Sequence, residues 1–309
     1  MTTSDLLLQQ TINGLSLGAM YALLALGFTL VYGILELINF AHFNVFMVGS
    51  FIAMGTLQMF GLTGQDVVLT GLPLAMVLLV TFAVTMTASG ALGVAIEYLS
   101  LRPLRNVKGP AAMITTIGVS YILFNIILLN QGADAKNFPN PLPPKRFHIE
   151  GAVLDVRVIL IWLVALALMG GLYLFVQRSR MGKAMRATAQ DPEAARMMGV
   201  EVDRVVVMAF FLGSALAGAG GLIFGLYYNF TSFIIGFTAG LRAFTAAVLG
   251  GIGNVPGAMV GGVIIGLIEA MGGQFISTAW TDVIIFSILV LVLVFKPAGL
   301  FGRLAPSKS

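Results

Sequence analysis

The side chains that can do chemistry in this chain are few, and their spacing excludes more than it offers. There are two histidines, His42 and His148, and no cysteine. The histidines lie far apart, without a His-Glu-x-x-His or similar ligand spacing, so neither a thiolate centre nor a metal site is expected. No Gly-x-x-x-x-Gly-Lys-Ser/Thr loop occurs, so the chain lacks the usual phosphate cradle for ATP. No catalytic residue or cofactor is expected, and the chain does not read as an enzyme. A carrier driven by protons or sodium ordinarily shows several buried acids or histidines as a relay. Here the ionisable groups within or beside apolar runs are Glu36, Glu97, Arg242, Glu269 and Asp282. Most of these suit interfaces, Glu269 and Asp282 near the outer surface or paired. A transporter so equipped needs an engine supplied from outside.

Two features are candidates for a substrate pathway. Residues 33–44 form a polar interruption between apolar runs, containing Asn39, His42 and Asn44. It reads either as a tight turn at a membrane surface or as broken helix lining a cavity, where water and neighbours satisfy the polar groups. Arg242 has uncharged residues on both sides; it either snorkels to an interface or faces the protein interior.

Charge gathers instead in residues 178–204, with Arg178, Arg180, Lys183, Arg186, Arg196 and Arg204 against Asp191, Glu193, Glu201 and Asp203. This stretch must lie in water. Within it Asp191-Pro192-Glu193-Ala194-Ala195-Arg196-Met197-Met198-Gly199 predicts a short complete helix. Asp191 suits the N-cap, Pro192 the first helical position, Glu193 the positive end of the dipole, and Gly199 a left-handed stop. Ala194, Met197 and Met198 recur at i, i+3 and i+4, giving a small apolar face with no partner inside its own loop.

The elements that position these groups are membrane helices. The 309 residues are 58% hydrophobic and 10% charged, against roughly 25% charged in an ordinary soluble domain. Uncharged runs span 6–35, 43–65, 67–96, 109–133, 158–177, 205–241, 243–268 and 283–295, and most reach the about 20 residues that a crossing needs. The expectation is an all-α polytopic bundle of eight spans, or nine if the breaks at 33–44 and 250–257 are both turns, with broken or re-entrant segments. With nine, the N-terminus is outside. No cleavable leader is read at the N-terminus. The run from 67 to 97 is longer than a straight crossing and must tilt, project or break near Ser89-Gly90. Arg102, Arg105 and Lys108 mark their loop as cytoplasmic, which puts the loop at 178–204 on the same side and the proline-rich loop at 132–157 outside; Arg303 and Lys308 mark the tail as cytoplasmic. The net charge of +4 fits loop cations, not nucleic-acid binding. A long small-residue helix followed by an interrupted one appears twice, at 14–31 with 36–51 and at 211–227 with 235–257, which hints at an internal repeat.

Five stretches resemble a known family. Glu193-Ala194-Ala195 with Gly199 is similar to the coupling motif of ABC-importer permeases, and Arg180-Met181-Gly182-Lys183-Ala184-Met185-Arg186-Ala187 resembles the same loop in the branched-chain amino acid permeases. So do Asn13-Gly14-Leu15-Ser16-Leu17-Gly18-Ala19-Met20-Tyr21, Ile38-Asn39-Phe40-Ala41-His42 and Ala247-Val248-Leu249-Gly250-Gly251-Ile252-Gly253-Asn254-Val255-Pro256-Gly257. Phe43 and Asn44 depart from the pattern, standing where the family commonly has a glycine and an acidic residue. The resemblance, to the H-type membrane subunit, covers essentially the whole chain. It implies a single permease domain over 1–309 in the bacterial inner membrane, importing branched-chain or related amino acids. The implied partners are two ABC ATPase subunits, a second homologous permease and a periplasmic solute-binding protein. It also implies that Asp191, Glu193, Ala194, Ala195, Met197, Met198 and Gly199 couple to the ATPase. The alternative is a self-sufficient channel or facilitator for a small polar solute such as urea or a short amide.

Overall fold

A computed structural model describes residues 3–64, 68–105, 107, 110–149 and 151–302; Lys108, Arg303 and Lys308 of the charge pattern lie outside these. Helices dominate: α1 (Thr3–Leu35), α2 (Ala41–Met59), α3 (Gly71–Ile96), α4 (Ala111–Gln131), α5 (Val156–Arg178), α6 (Arg180–Gln190), α7 (Pro192–Met197), α8 (Val202–Tyr228), α9 (Ile235–Gly250), α10 (Val255–Phe275) and α11 (Thr281–Phe295). Seven helices among the described residues are long and apolar enough to cross a membrane, and the shorter α9 is apolar as well. The chain is a multi-pass membrane protein.

α1 and α8 form the buried centre, while α3, α4, α5 and α11 turn apolar side chains outward, such as Leu79, Leu129, Leu163 and Val294. Hydrocarbon is as apolar as these side chains, so close packing must hold the centre together. The sequence supplies it with small residues four apart. A Cβ on Gly14 or Gly18 of α1 would lie 2.8 or 2.7 Å from the backbone of Leu267 or Val263 in α10. Gly262 and Gly266 of α10 press reciprocally on Ala22 and Gly18. These pairings run in opposite directions along the two chains, so α1 and α10 are antiparallel.

The two long helices stop in the same way. Glu36 (φ 53°) ends α1 and Asn229 (φ 57°) ends α8, and among the described residues these are the non-glycine positions with positive φ. Each left-handed residue breaks the helix, and an extended stretch doubles the chain back. His42, one residue into α2, already lies beside Gly27 and Leu24 of α1. Gly27 is eight residues short of the end of α1, roughly 12 Å at helical rise. Thr231 likewise meets Ser50 of α2, which packs against Gly221, well inside α8. Both α2 and α9 therefore start within the depth of the bundle. α1 is antiparallel to α8 (Gly27 near Gly213, Met20 near Gly220), and α2 to α9 (Phe43 against Gly240, Met47 against Gly236). The two long-helix and half-helix units are inverted with respect to each other, over the segments whose sequence pattern repeats.

The structure decides three boundaries that the sequence left open. The run at 205–241 is broken at 229–234, which moves Arg242 from a boundary into the middle of α9. α3 passes through Ser89-Gly90 unbroken, because Gly90 and Ser89 pack directly on Phe211 and Gly218 of α8, and it projects onward as a π-turn, Glu97–Leu101. The 250–257 cluster is a tight turn that lays α10 back along α9.

At one end lie the N-terminus and the 132–157 loop. There β2 (Arg146–Ile149) pairs with β3 (Ala152–Asp155), β1 (Lys136–Asn137) with β4 (Phe230–Thr231), and Gln9 accepts a bond from the Val153 N–H. Asp155 caps α5 and pairs with Arg157. Burial would raise its carboxyl, but the hydrogen bonds and charge of Arg157 prevail and hold it below the usual carboxylate range. The arginine-rich loops lie at the other end.

Candidate functional site

The charged loop folds as two helices in sequence. Ser179 caps α6 by accepting from the Gly182 N–H at 2.8 Å, and α6 buries Met185 and Thr188. α7 begins where Asp191 accepts from the N–H groups of Glu193 and Ala194 at 2.9 and 3.0 Å, with Pro192 in the first turn. At its other end Gly199 has φ 82°, the Val200 N–H reaches the Ala195 carbonyl at 3.0 Å, and the Gly199 N–H reaches that of Arg196 at 3.0 Å. That pair of bonds is a Schellman stop. Both ends of a six-residue helix are thus fixed by its own sequence. Ala195 is buried and anchors it, Ala194 is half-buried, and Met197 and Met198 are 82% and 84% exposed. The apolar face left for a partner is the methionine pair, with Ala195 turned inward.

An ion network backs this loop. Arg105 binds Asp203 at the start of α8 (2.6 Å) and also Glu97, which is fully buried in the π-turn, and Arg102 reaches Asp203 at 3.3 Å. α3 is thereby tied to the base of α8, directly after the charged loop. The sequence shows these charges in loops of one side, but nothing in their spacing pairs them across about a hundred residues.

The four pathway candidates separate. Arg242 is partly buried, its guanidinium joined to Glu269, to Asp282 at 2.7 Å and to the Tyr21 hydroxyl at 3.2 Å. The cluster joins α1, α9, α10 and α11, and its Arg242 and Glu269 line a pocket of about 330 Å³ with Gln10 and Gln274. Asn39 and His42 are enclosed at the helix break and are not among the residues that line the cavity beside it. Asn39 Oδ1 accepts from the Ala41 N–H, His42 Nε2 lies 3.2 Å from the Leu24 carbonyl, and His42 is 1% exposed. Asn44 does line one, of about 520 Å³, where the first turns of α2 and α9 meet α4. Its walls include Phe43, Phe124, Phe233 and Phe237, together with Ser120. Sequence reasoning missed those aromatics because they come from three separated segments and read singly as membrane-core residues. Among the described residues no group of acids and histidines is arranged to hold a metal.

The family model described as "Branched-chain amino acid transport system / permease component" matches residues 10–293. The chain is 41% identical over 300 residues to the high-affinity branched-chain amino acid transport system permease protein BraD of Pseudomonas aeruginosa, covering 96% of each. It is 40% identical over 304 residues to LivH of Escherichia coli, again covering 96% of each, and 26% identical to LivM of the same organism, covering 96% of this chain and 71% of that one. Both carry the same description as BraD. No solved structure matches.

Proposed function

The chain belongs to the family of branched-chain amino acid transport permease components, and from that membership we propose how its parts serve an ATP-driven importer. It is a membrane-spanning transport subunit and not an enzyme, and its cargo is branched-chain or related amino acids. The stand-alone facilitator for urea or short amides is set aside, since the relatives are named as amino acid permeases. The arginine-rich end faces the cytoplasm, by the positive-inside rule, of a bacterial inner membrane. The hairpin end faces the periplasm, where a solute-binding protein delivers the cargo. A second homologous permease, of which the LivM match is suggestive, completes the pathway, and two ATPase subunits drive it.

The observation that carries this reading is α7. A helix capped at both ends and seated on Ala195 transmits displacement as a rigid body, and Met197 and Met198 offer an unbranched, adaptable apolar pair to a groove on the ATPase. The cysteine-free chain makes a clean test available. Met197→Cys, paired with single cysteines along the ATPase groove, should cross-link in the assembled complex at a yield that changes with bound nucleotide. Absence of any such cross-link, with the same reagents joining the ATPase elsewhere on the cytoplasmic face, would contradict the assignment.

A further inference from the structure

The face between α4 and α9 is built differently from the other outward faces of the bundle. α4 runs from Ala111 to Gln131, about 30 Å at helical rise, so Tyr121, ten residues from either end, lies near the middle of a bilayer. Tyr121 is 65% exposed, and Asn125, one turn on, is exposed as well. The Asn125 amide nitrogen donates to the Tyr121 carbonyl at 2.8 Å, while the Asn125 Oδ1 and the Tyr121 hydroxyl have no hydrogen-bond partner among the described residues. A lipid-facing tyrosine belongs in the headgroup belt, and polar groups at mid-depth ordinarily face protein or enclosed water. Midway along α3 the exposed side chains are Leu79, Val80 and Val84, and along α5 they are Leu163 and Leu166. Those faces suit lipid; the Tyr121–Asn125 stripe does not.

The backbone beside the stripe gives an independent reason. α9 begins within the depth of the bundle and next to α4, with Phe233 stacked edge-on against Phe124 at 5.0 Å. The non-helical chain leading into it, residues 232–234, therefore borders the same face at membrane depth. Such backbone is tolerated there only where protein or enclosed water covers it, so hydrocarbon is excluded a second time. Ile234, Phe237 (60% exposed) and Tyr121 are exposed walls of the cavity of about 520 Å³, which puts its mouth on this face and leaves room for inserted side chains.

We propose that this face, from Tyr121 and Asn125 on α4 to Ile234 and Phe237 on α9, is where a second, homologous permease packs against the chain inside the membrane. The occupant spans the membrane itself, because Tyr121 lies about 15 Å from either end of its helix, a depth that neither a cytoplasmic ATPase nor a periplasmic binding protein reaches. Two chains of one fold related by a pseudo-two-fold axis along the membrane normal meet through the same face of each, so the partner brings its own α4 and α9 equivalents to this contact. The amide and hydroxyl then bond across it, as hydrocarbon cannot, and apolar side chains of the partner enter the hollow. The proposal rests on the importer reading above and adds the surface by which the two permeases meet.

The test uses the assembled complex in its membrane, with Asn125→Cys, Phe237→Cys and, as reference on α5, Leu163→Cys introduced singly into this cysteine-free chain. The second permease, its own cysteines removed, carries single cysteines at the positions that align with Tyr121, Asn125 and Phe237. Oxidation is expected to join the two subunits through Asn125→Cys or Phe237→Cys in complexes that retain ATP-dependent leucine uptake beforehand, and to leave Leu163→Cys unjoined. Asn125→Leu gives a second reading, since leucine suits lipid better than asparagine does but removes a bond across an interface. It is expected to lower severalfold the amount of second permease recovered with the chain, at unchanged abundance of the chain itself. Cross-links from Leu163→Cys with none from α4 or α9 would overturn the proposal, as would joining of the chain to a second copy of itself through Phe237→Cys, or absent cross-links with parental recovery in Asn125→Leu. A parental complex that contains no second permease would instead remove that part of the importer reading on which the proposal rests.

Discussion

Arg242 shows how far a single residue can be read from sequence. A charge flanked by apolar residues must find partners, because exposure to hydrocarbon costs at least about 2.5–3.5 kcal/mol on insertion scales, and the structure supplies Glu269, Asp282 and Tyr21. Glu269 and Asp282 read in sequence as groups either near the outer surface or paired. Their joint pairing to one arginine in mid-helix did not, since it depends on how three helices turn. Arg242→Leu would leave Glu269, whose side chain is 12% exposed, without its cation. Removing one partner of a buried pair costs about 3–5 kcal/mol, so thermal melting of the purified complex should fall sharply. Arg242→Leu with Glu269→Leu should recover most of the loss. Asn39 and His42 make the opposite case: polar residues at a break suggested a wet wall, yet each is satisfied by a nearby backbone group.

At the scale of elements, the long apolar helices and the capped loop helix were legible because spacing and composition determine them locally. The break at 229–234 was legible only as the gap between the two segments of the repeat, 211–227 and 235–257. Its sequence, Asn229-Phe230-Thr231-Ser232-Phe233-Ile234, has neither glycine nor proline, and Asn229 tolerates the left-handed conformation while β4 pairs across to β1. Helix contacts were legible only as a wealth of small residues, since which glycine meets which backbone is a tertiary fact. Gly221 is the sharpest case, for a Cβ there would lie 2.2 Å from the Phe46 carbonyl and 2.8 Å from the Ser50 nitrogen of α2. Gly221→Ala is expected to cost about 1–3 kcal/mol by overpacking. Gly118→Ala, with nothing within 4 Å of the added methyl, should leave melting unchanged. Equal melting of the two variants would mean that the α2–α8 crossing is looser than this packing requires.

At the scale of the molecule, the inverted pairing of α1–α2 with α8–α9 places two half-helices back to back around the core, and the charged loop ends in α8, the partner of α1, α2 and α3. On the proposed coupling, a push on α7 enters the bundle through α8, one of its two buried central helices, with the Arg105–Asp203 pair clamping the point of entry. The weak sequence repeat was readable, but its inversion was not, because orientation leaves no trace in composition. The central claim is that α7 couples the ATPase to transport, and it rests on a helix end that needs positive φ and a helix start that needs an acid. The space around Gly199 is open, so Gly199→Val acts by conformation alone, and Glu193→Lys puts a cation on the positive end of the dipole. The direct measurement is substrate-stimulated ATP hydrolysis together with leucine uptake in reconstituted complexes carrying either change. Both activities should fall together, with assembly and the binding protein's own affinity intact; complexes that assemble and transport at the parental rate would contradict the account.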